Sequence, residues 1–138
     1  MLLYLLFLLS RGAIVKDIQE FLKEFQKEMN WEISDKNYKE SRSSILNNYM
    51  LLTTEVSEVA EEFRSIFNKT SKLIKEEGLN EELAFKLAKE KYKENIGKEL
   101  SDCVAYIVKF ANYLEIDLQD SFYSKMNEIK LRVNKDQQ

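Results

Sequence analysis

The chain of 138 residues has no histidine, no proline, three glycines and a single cysteine. Without an imidazole, serine or cysteine triads on a histidine base, HExxH zinc sites and ferritin-like ExxH di-iron sites are all excluded. Any chemistry must run on carboxylates, lysines, arginines, hydroxyls and metal. Without proline, and with glycine only at Gly12, Gly78 and Gly97, the chain has few of the residues that punctuate sheets and turns, so an all-α fold of long helices is expected. The one cysteine, Cys103, allows no intrachain disulfide and no four-cysteine zinc site, which fits a reducing, cytoplasmic setting. No apolar run is long enough to span a bilayer: Leu2 to Leu9 is too short, and it lacks the charged start and cleavage site of a secretory signal. A net charge of −3 and a pI near 5.2 argue against a nucleic-acid polymer as partner, since such a partner requires a basic face.

What is present reads as one domain, expected over residues 15–138, behind an apolar extension at 1–14. Three readings of that extension stay open: a nonessential leader or upstream start, an arm covering a partner subunit, or a membrane anchor. Helix one is expected from about Ile14 to Asn30 on the stripe Ile14, Ile18, Phe21, Leu22, Phe25 and Met29. A polar loop follows, with Trp31 its one large apolar residue. Helix two is expected over about Ser43 to Phe67, on Ile45, Tyr49, Leu52, Val56, Val59, Ala60, Phe63 and Phe67. After a break at "EEGLN", a weakly amphipathic segment at 81–95 can form helix three. Helix four carries Leu100, Val104, Ile107, Val108, Ala111 and Leu114. Helix five, from about Leu118 to Val133, carries Phe122, Met126, Ile129 and Val133. The expected fold is thus a helical bundle of four to five helices, with enough apolar surface to make it oligomeric.

Acid sits at the rim of this core. At about 100° per residue, Glu55, Glu58 and Glu62 fall within roughly 60° along one edge of the helix-two stripe. Glu99, Asp102 and Tyr106 make a similar arc on helix four. Two i, i+3 pairs result, Glu55 with Glu58 and Glu99 with Asp102. Carboxylates at that spacing point the same way and can share an ion. If the two helices pack side by side, four negative charges converge and repel unless protons or a cation compensate. Oxygen-only ligands suit Mg²⁺, with Mn²⁺ the alternative, and Mg²⁺ commonly binds substrate phosphate as well. Lys125 and Arg132, about two turns apart on one face of helix five, supply a basic counterpart. Taken on spacing alone, the same acids also fit a solvated helix face paired with lysines, and Trp31 and Tyr106 fit core aromatics.

The segments "LLTTEVSEVAEEFR", "KELSDCVAYIVKFANYLEIDL" and "SKMNEIKLR", with "FLKEFQKEMNW" in helix one, resemble the MazG-like all-α nucleoside triphosphate pyrophosphohydrolases, and within them the small dCTP pyrophosphatase type. The family's E-x-x-E and E-x-x-D motifs fall on Glu55, Glu58, Glu99 and Asp102. The resemblance implies that these four hold Mg²⁺, that a (deoxy)nucleoside triphosphate, dCTP or a similar one, is cut between its α and β phosphates, and that the role is house-cleaning of nucleotide pools. It further implies phosphate contacts from Lys125 and Arg132, base contacts from Trp31 and Tyr106, and assembly as a homotetramer or else a dimer. Glu58 is the expected catalytic group, orienting or deprotonating the attacking water. The sequence departs from the family at Ile129, where an asparagine is expected, at Ser65, where a second tryptophan is expected, and in the length of the 59–98 interval between the acidic motifs. Those departures favour the alternative of a non-catalytic helical protein that senses nucleotide or docks a partner.

Overall fold

The computed structural model describes the backbone of residues 2–136 and the side chains of residues 15–133. The readings of the apolar extension as an arm or an anchor rest on side chains outside the described residues. Among the described residues, no helix is long and apolar enough to cross a membrane.

Among the described residues the fold is all-α, with four helices: α1 (Leu2–Glu28), α2 (Tyr38–Glu77), α3 (Glu81–Tyr113) and α4 (Leu118–Asp136). Their ends follow local chemistry. Asn37, in extended backbone, accepts a hydrogen bond from the Glu40 amide at 3.0 Å and caps α2, satisfying a donor that has no partner inside the helix. Gly78 closes α2 at φ 65°, with its N–H bonded to the Leu73 carbonyl; only a residue without Cβ takes that conformation freely. Two residues later Asn80 caps α3 through the Leu83 amide at 2.9 Å, and Glu81 and Glu82 in its first turn suit the positive end of the helix dipole. Asp117 caps α4 in the same way through Asp120, at 3.0 Å.

The segments expected as helices three and four form a single helix, α3. Gly97 does not interrupt it, because one glycine inside a run of strong helix formers costs only about 1 kcal/mol against alanine. No atom lies within 4 Å of where a Cβ on Gly97 would stand. Gly97→Ala is therefore expected to raise stability by roughly 0.5–1 kcal/mol, read as an upward shift of the urea midpoint with unchanged slope.

The chain divides into two compact units, Met1–Asp35 with Ile107–Gln138, and Lys36–Tyr106. In the first unit α1 contacts α4, and Leu22, Gln26, Ile33, Val108 and Ala111 are buried. Gln19 ties its elements together: its amide donates to the Ile116 carbonyl at 2.9 Å and accepts from the Leu118 amide at 3.0 Å, while Asn112 donates to the Gln19 carbonyl at 3.1 Å.

In the second unit, the covered face of α2 is two rows at seven-residue spacing. Ile45, Leu52, Val59, Ile66 and Leu73 make an apolar row, and Ser41, Asn48, Glu55, Glu62 and Lys69 make a polar one; every one of the ten is buried or half-buried. Alternating three- and four-residue steps of this kind put both rows along one seam, as in helix pairs that cross at a shallow angle. This corrects the expected stripe: Tyr49, Val56, Phe63 and Phe67 are exposed. Leu100, Val104 and Ile107 on α3, Leu114 just past its end, and Phe122, Met126, Ile129 and Val133 on α4, are exposed too. On helices this long, apolar residues occupy more than one face, and periodicity does not say which face the chain itself covers.

Candidate metal centre

Glu55 enters the site from the polar row of α2, and Glu99 and Asp102 from successive turns of α3. Each of the three offers a carboxylate oxygen, and these oxygens lie within 4.8 Å of one another. Glu58, one turn on from Glu55, stands close enough to the Glu55 and Glu99 carboxyls to raise both, so it borders the group of three. The Glu55 carboxyl is held above its ordinary range, first by burial and then by the charges of Glu58 and Asp102. Glu99 is raised first by burial and then by Glu58 beside it. No lysine or arginine pairs with any of the four among the described residues.

Two further observations bear on a cation. Glu99 Oε2 is buried and without a hydrogen-bond partner, a state that is costly for a carboxylate oxygen unless something positive meets it. The donors are oxygen throughout, the set preferred by Mg²⁺ and Mn²⁺. The residues present therefore fit a hard divalent ion. Cys103 stands beside the site, its thiol pushed up by burial and by Glu55 and Asp102, which keeps it protonated and a poor ligand. Tyr106 is buried, and its hydroxyl is pushed up by burial and by the same two carboxylates; it faces the acids as a neutral phenol.

Glu62 is a further acid at this seam. It lies two turns beyond Glu55 in the polar row, and its Oε2 is buried without a hydrogen-bond partner. The sequence carried the signal, since Glu62 shares the arc of Glu55 and Glu58, but its spacing completes no pair with α3.

Trp31, Lys125 and Arg132 belong to the first unit. Lys125 bonds Glu128 at 3.0 Å, and Arg132 pairs with the same carboxylate. All three side chains are about half exposed or more, so these ion pairs are weak and open readily. Trp31 meets Lys109, whose Nζ stands 3.8 Å from the centre of the indole ring. Lys109 is 3% exposed and lines a cavity of about 190 Å³ with Gln26, Glu32, Asp35, Asn112 and Tyr113. Nothing in the sequence marked Lys109, which sits between the buried Val108 and Ala111.

Burial lowers the Lys109 amine to about 8. The folded protein therefore binds fewer protons than the unfolded chain between about 8 and 10.5, and this group adds stability as pH rises through that window. Trp31 is the sole tryptophan, so its emission should change with a midpoint near pH 8 as the ammonium against it loses its charge. The step should vanish in Lys109→Met; a step that persists there would assign the change to another group.

Compared with family models, curated proteins and solved structures, the chain gives no match.

Proposed function

We propose that the protein is a metal-dependent pyrophosphohydrolase that converts (deoxy)nucleoside triphosphates to monophosphate and pyrophosphate. The observation that carries this reading is the meeting of Glu55, Glu99 and Asp102 oxygens within 4.8 Å, with no cation of the described residues to neutralise them. The resemblance in the acidic motifs supports it.

Glu55, Glu58, Glu99 and Asp102 would hold Mg²⁺ or Mn²⁺. A metal held there would supply a lowered pKa for a bound water and positive charge against the phosphates. The chain's own groups do the rest. Glu58, the most exposed of the three glutamates, takes the proton of the attacking water. The water oxygen bonds the α phosphorus as the bond from that phosphorus to the bridging oxygen breaks, and pyrophosphate departs with that oxygen. The resemblance gives phosphate contacts to Lys125 and Arg132, whose exposed ion pairs with Glu128 would have to open first. Tyr106, as a neutral phenol beside the acids, contacts the nucleoside. The resemblance gives a base contact to Trp31, whose indole face already carries Lys109.

Self-association belongs to the same proposal. Phe122, Met126, Ile129 and Val133 recur at helical spacing on α4, and each is 41–52% exposed. A continuous apolar stripe of that kind marks an interaction surface, and a homotetramer, or else a dimer, would cover it. Light scattering that returned a stable monomer at micromolar concentration would count against assembly.

The deciding experiment is pyrophosphate release from a panel of NTPs and dNTPs, with Mg²⁺ and with EDTA. Release that requires Mg²⁺ and favours one nucleotide supports the enzyme and identifies its substrate. No release from any nucleotide overturns it and leaves a non-catalytic binding protein.

A further inference from the structure

The polar row of α2 changes sign along its length: Glu55 and Glu62 are followed by Lys69. Around Lys69 the two helices of the second unit enclose a cleft of about 310 Å³ lined by Ser65, Asn68, Lys69, Lys72, Lys91 and Tyr92. No carboxylate lines it, on a chain whose net charge is −3. Lys69 and Lys91 form no ion pair among the described residues. Lys72 makes one exposed pair, to Glu76 at 3.8 Å, and Lys91 stands 5.6 Å from the centre of the Tyr92 ring. The Ser65 hydroxyl is committed to the Glu61 carbonyl, so the groups left to meet a ligand are three ammoniums, the Asn68 amide and a phenol. All can donate hydrogen bonds. The volume lies at the small end of ligand pockets.

We propose that this cleft binds a condensed phosphate, either inorganic or the polyphosphate tail of a nucleotide. Three ammoniums on two facing helices match an anion whose charges are spread over several phosphoryl groups better than a single compact one, because each lysine acts as a separate point charge. The site is distinct from the acidic centre: Lys69 lies 14 positions from Glu55 along α2, about 21 Å at 1.5 Å per residue. It does not depend on that centre's function, and binding here requires no metal.

Metal-stripped full-length protein in buffer free of divalent ions is titrated with sodium tripolyphosphate, following backbone amide shifts by NMR. Without metal the acidic centre repels the same ligand, so the lysine cleft is read alone. Saturable shifts at Asn68, Lys69, Lys72, Lys91 and Tyr92 are expected, with affinity falling several-fold between 50 and 200 mM salt as screening increases. Lys69→Gln with Lys91→Gln should weaken binding at least tenfold and leave the melting temperature within a few degrees. A nucleoside triphosphate titrated in parallel separates the sources: equal affinity assigns the inorganic chain, and tighter binding with larger shifts at Tyr92 assigns the nucleotide. Shifts confined to Lys125 and Arg132, unchanged affinity in the double variant, or equal binding of orthophosphate overturns the proposal.

Discussion

Glu99→Gln is expected to cut Mg²⁺-dependent pyrophosphate release by at least roughly 100-fold while making the metal-free protein more stable. Both effects come from the same atoms. Correct placement of metal and water is a transition-state interaction worth several kcal/mol, so losing one charged oxygen from the donor set lowers turnover by orders of magnitude. Without metal the same charge is a burden, because Glu99 sits among Glu55, Glu58 and Asp102 and is held above its ordinary pKa by burial and by Glu58. Removing it relieves repulsion and leaves an amide that donates to Glu58. Asp102→Asn should behave alike in activity. Steady-state rates with Mg²⁺ and urea unfolding in chelator are the two measurements. A variant that is less stable in chelator and still active would show the carboxylates to be an ordinary solvated face.

The second large effect is a metal-dependent melting temperature that itself depends on pH. Glu55 and Glu99 have folded-state pKa values raised above 4.5. Their contribution to stability is therefore full at and below about pH 4.5 and is lost as pH rises through the raised values, because the folded state holds protons that the unfolded chain has released. A divalent ion replaces those protons. At ten times its dissociation constant it adds about 1.4 kcal/mol, or roughly 5 °C for a domain of this size. Toward pH 4.5 the protons already compensate, and the increment should shrink toward zero; it should grow as pH rises through the raised values. Thermal melts with and without Mn²⁺ or Mg²⁺ across that range test the sign. An increment that grows toward acid pH would refute the linkage.

The helical class and the acidic pairs were legible in the sequence because both depend on local spacing. Missing proline, sparse glycine and the i, i+3 placement of Glu55 with Glu58 and of Glu99 with Asp102 carry that information within a few residues. Helix ends were read less well. Asn37 starts α2 six residues before the expected Ser43, since a cap is a single side-chain bond that composition does not reveal. The covered faces were misread for a different reason. Counting apolar residues selects Val56, Phe63 and Phe67, whereas α2 covers a seam half of which is polar, and Asn48 looks like a solvent residue until a neighbouring helix is placed. Lys109 was illegible for the same cause: burial of a lysine amine against Trp31 is decided by residues 78 positions apart, and no local pattern encodes it.

The polar row also sets a limit on how stable this protein has been allowed to become. Leucine at Asn48, Glu55 and Glu62 would complete an ordinary heptad seam, remove orphaned oxygens from the interior and give a stiffer, higher-melting hairpin. Selection for stability alone would reach those substitutions easily, since each is a simple polar-to-apolar exchange. As polar residues, Asn48, Glu55 and Glu62 leave the seam less durable than an apolar one and able to hold charge. A thermostabilised version of this protein should therefore be sought on the exposed faces and at Gly97, leaving that one row of α2 untouched.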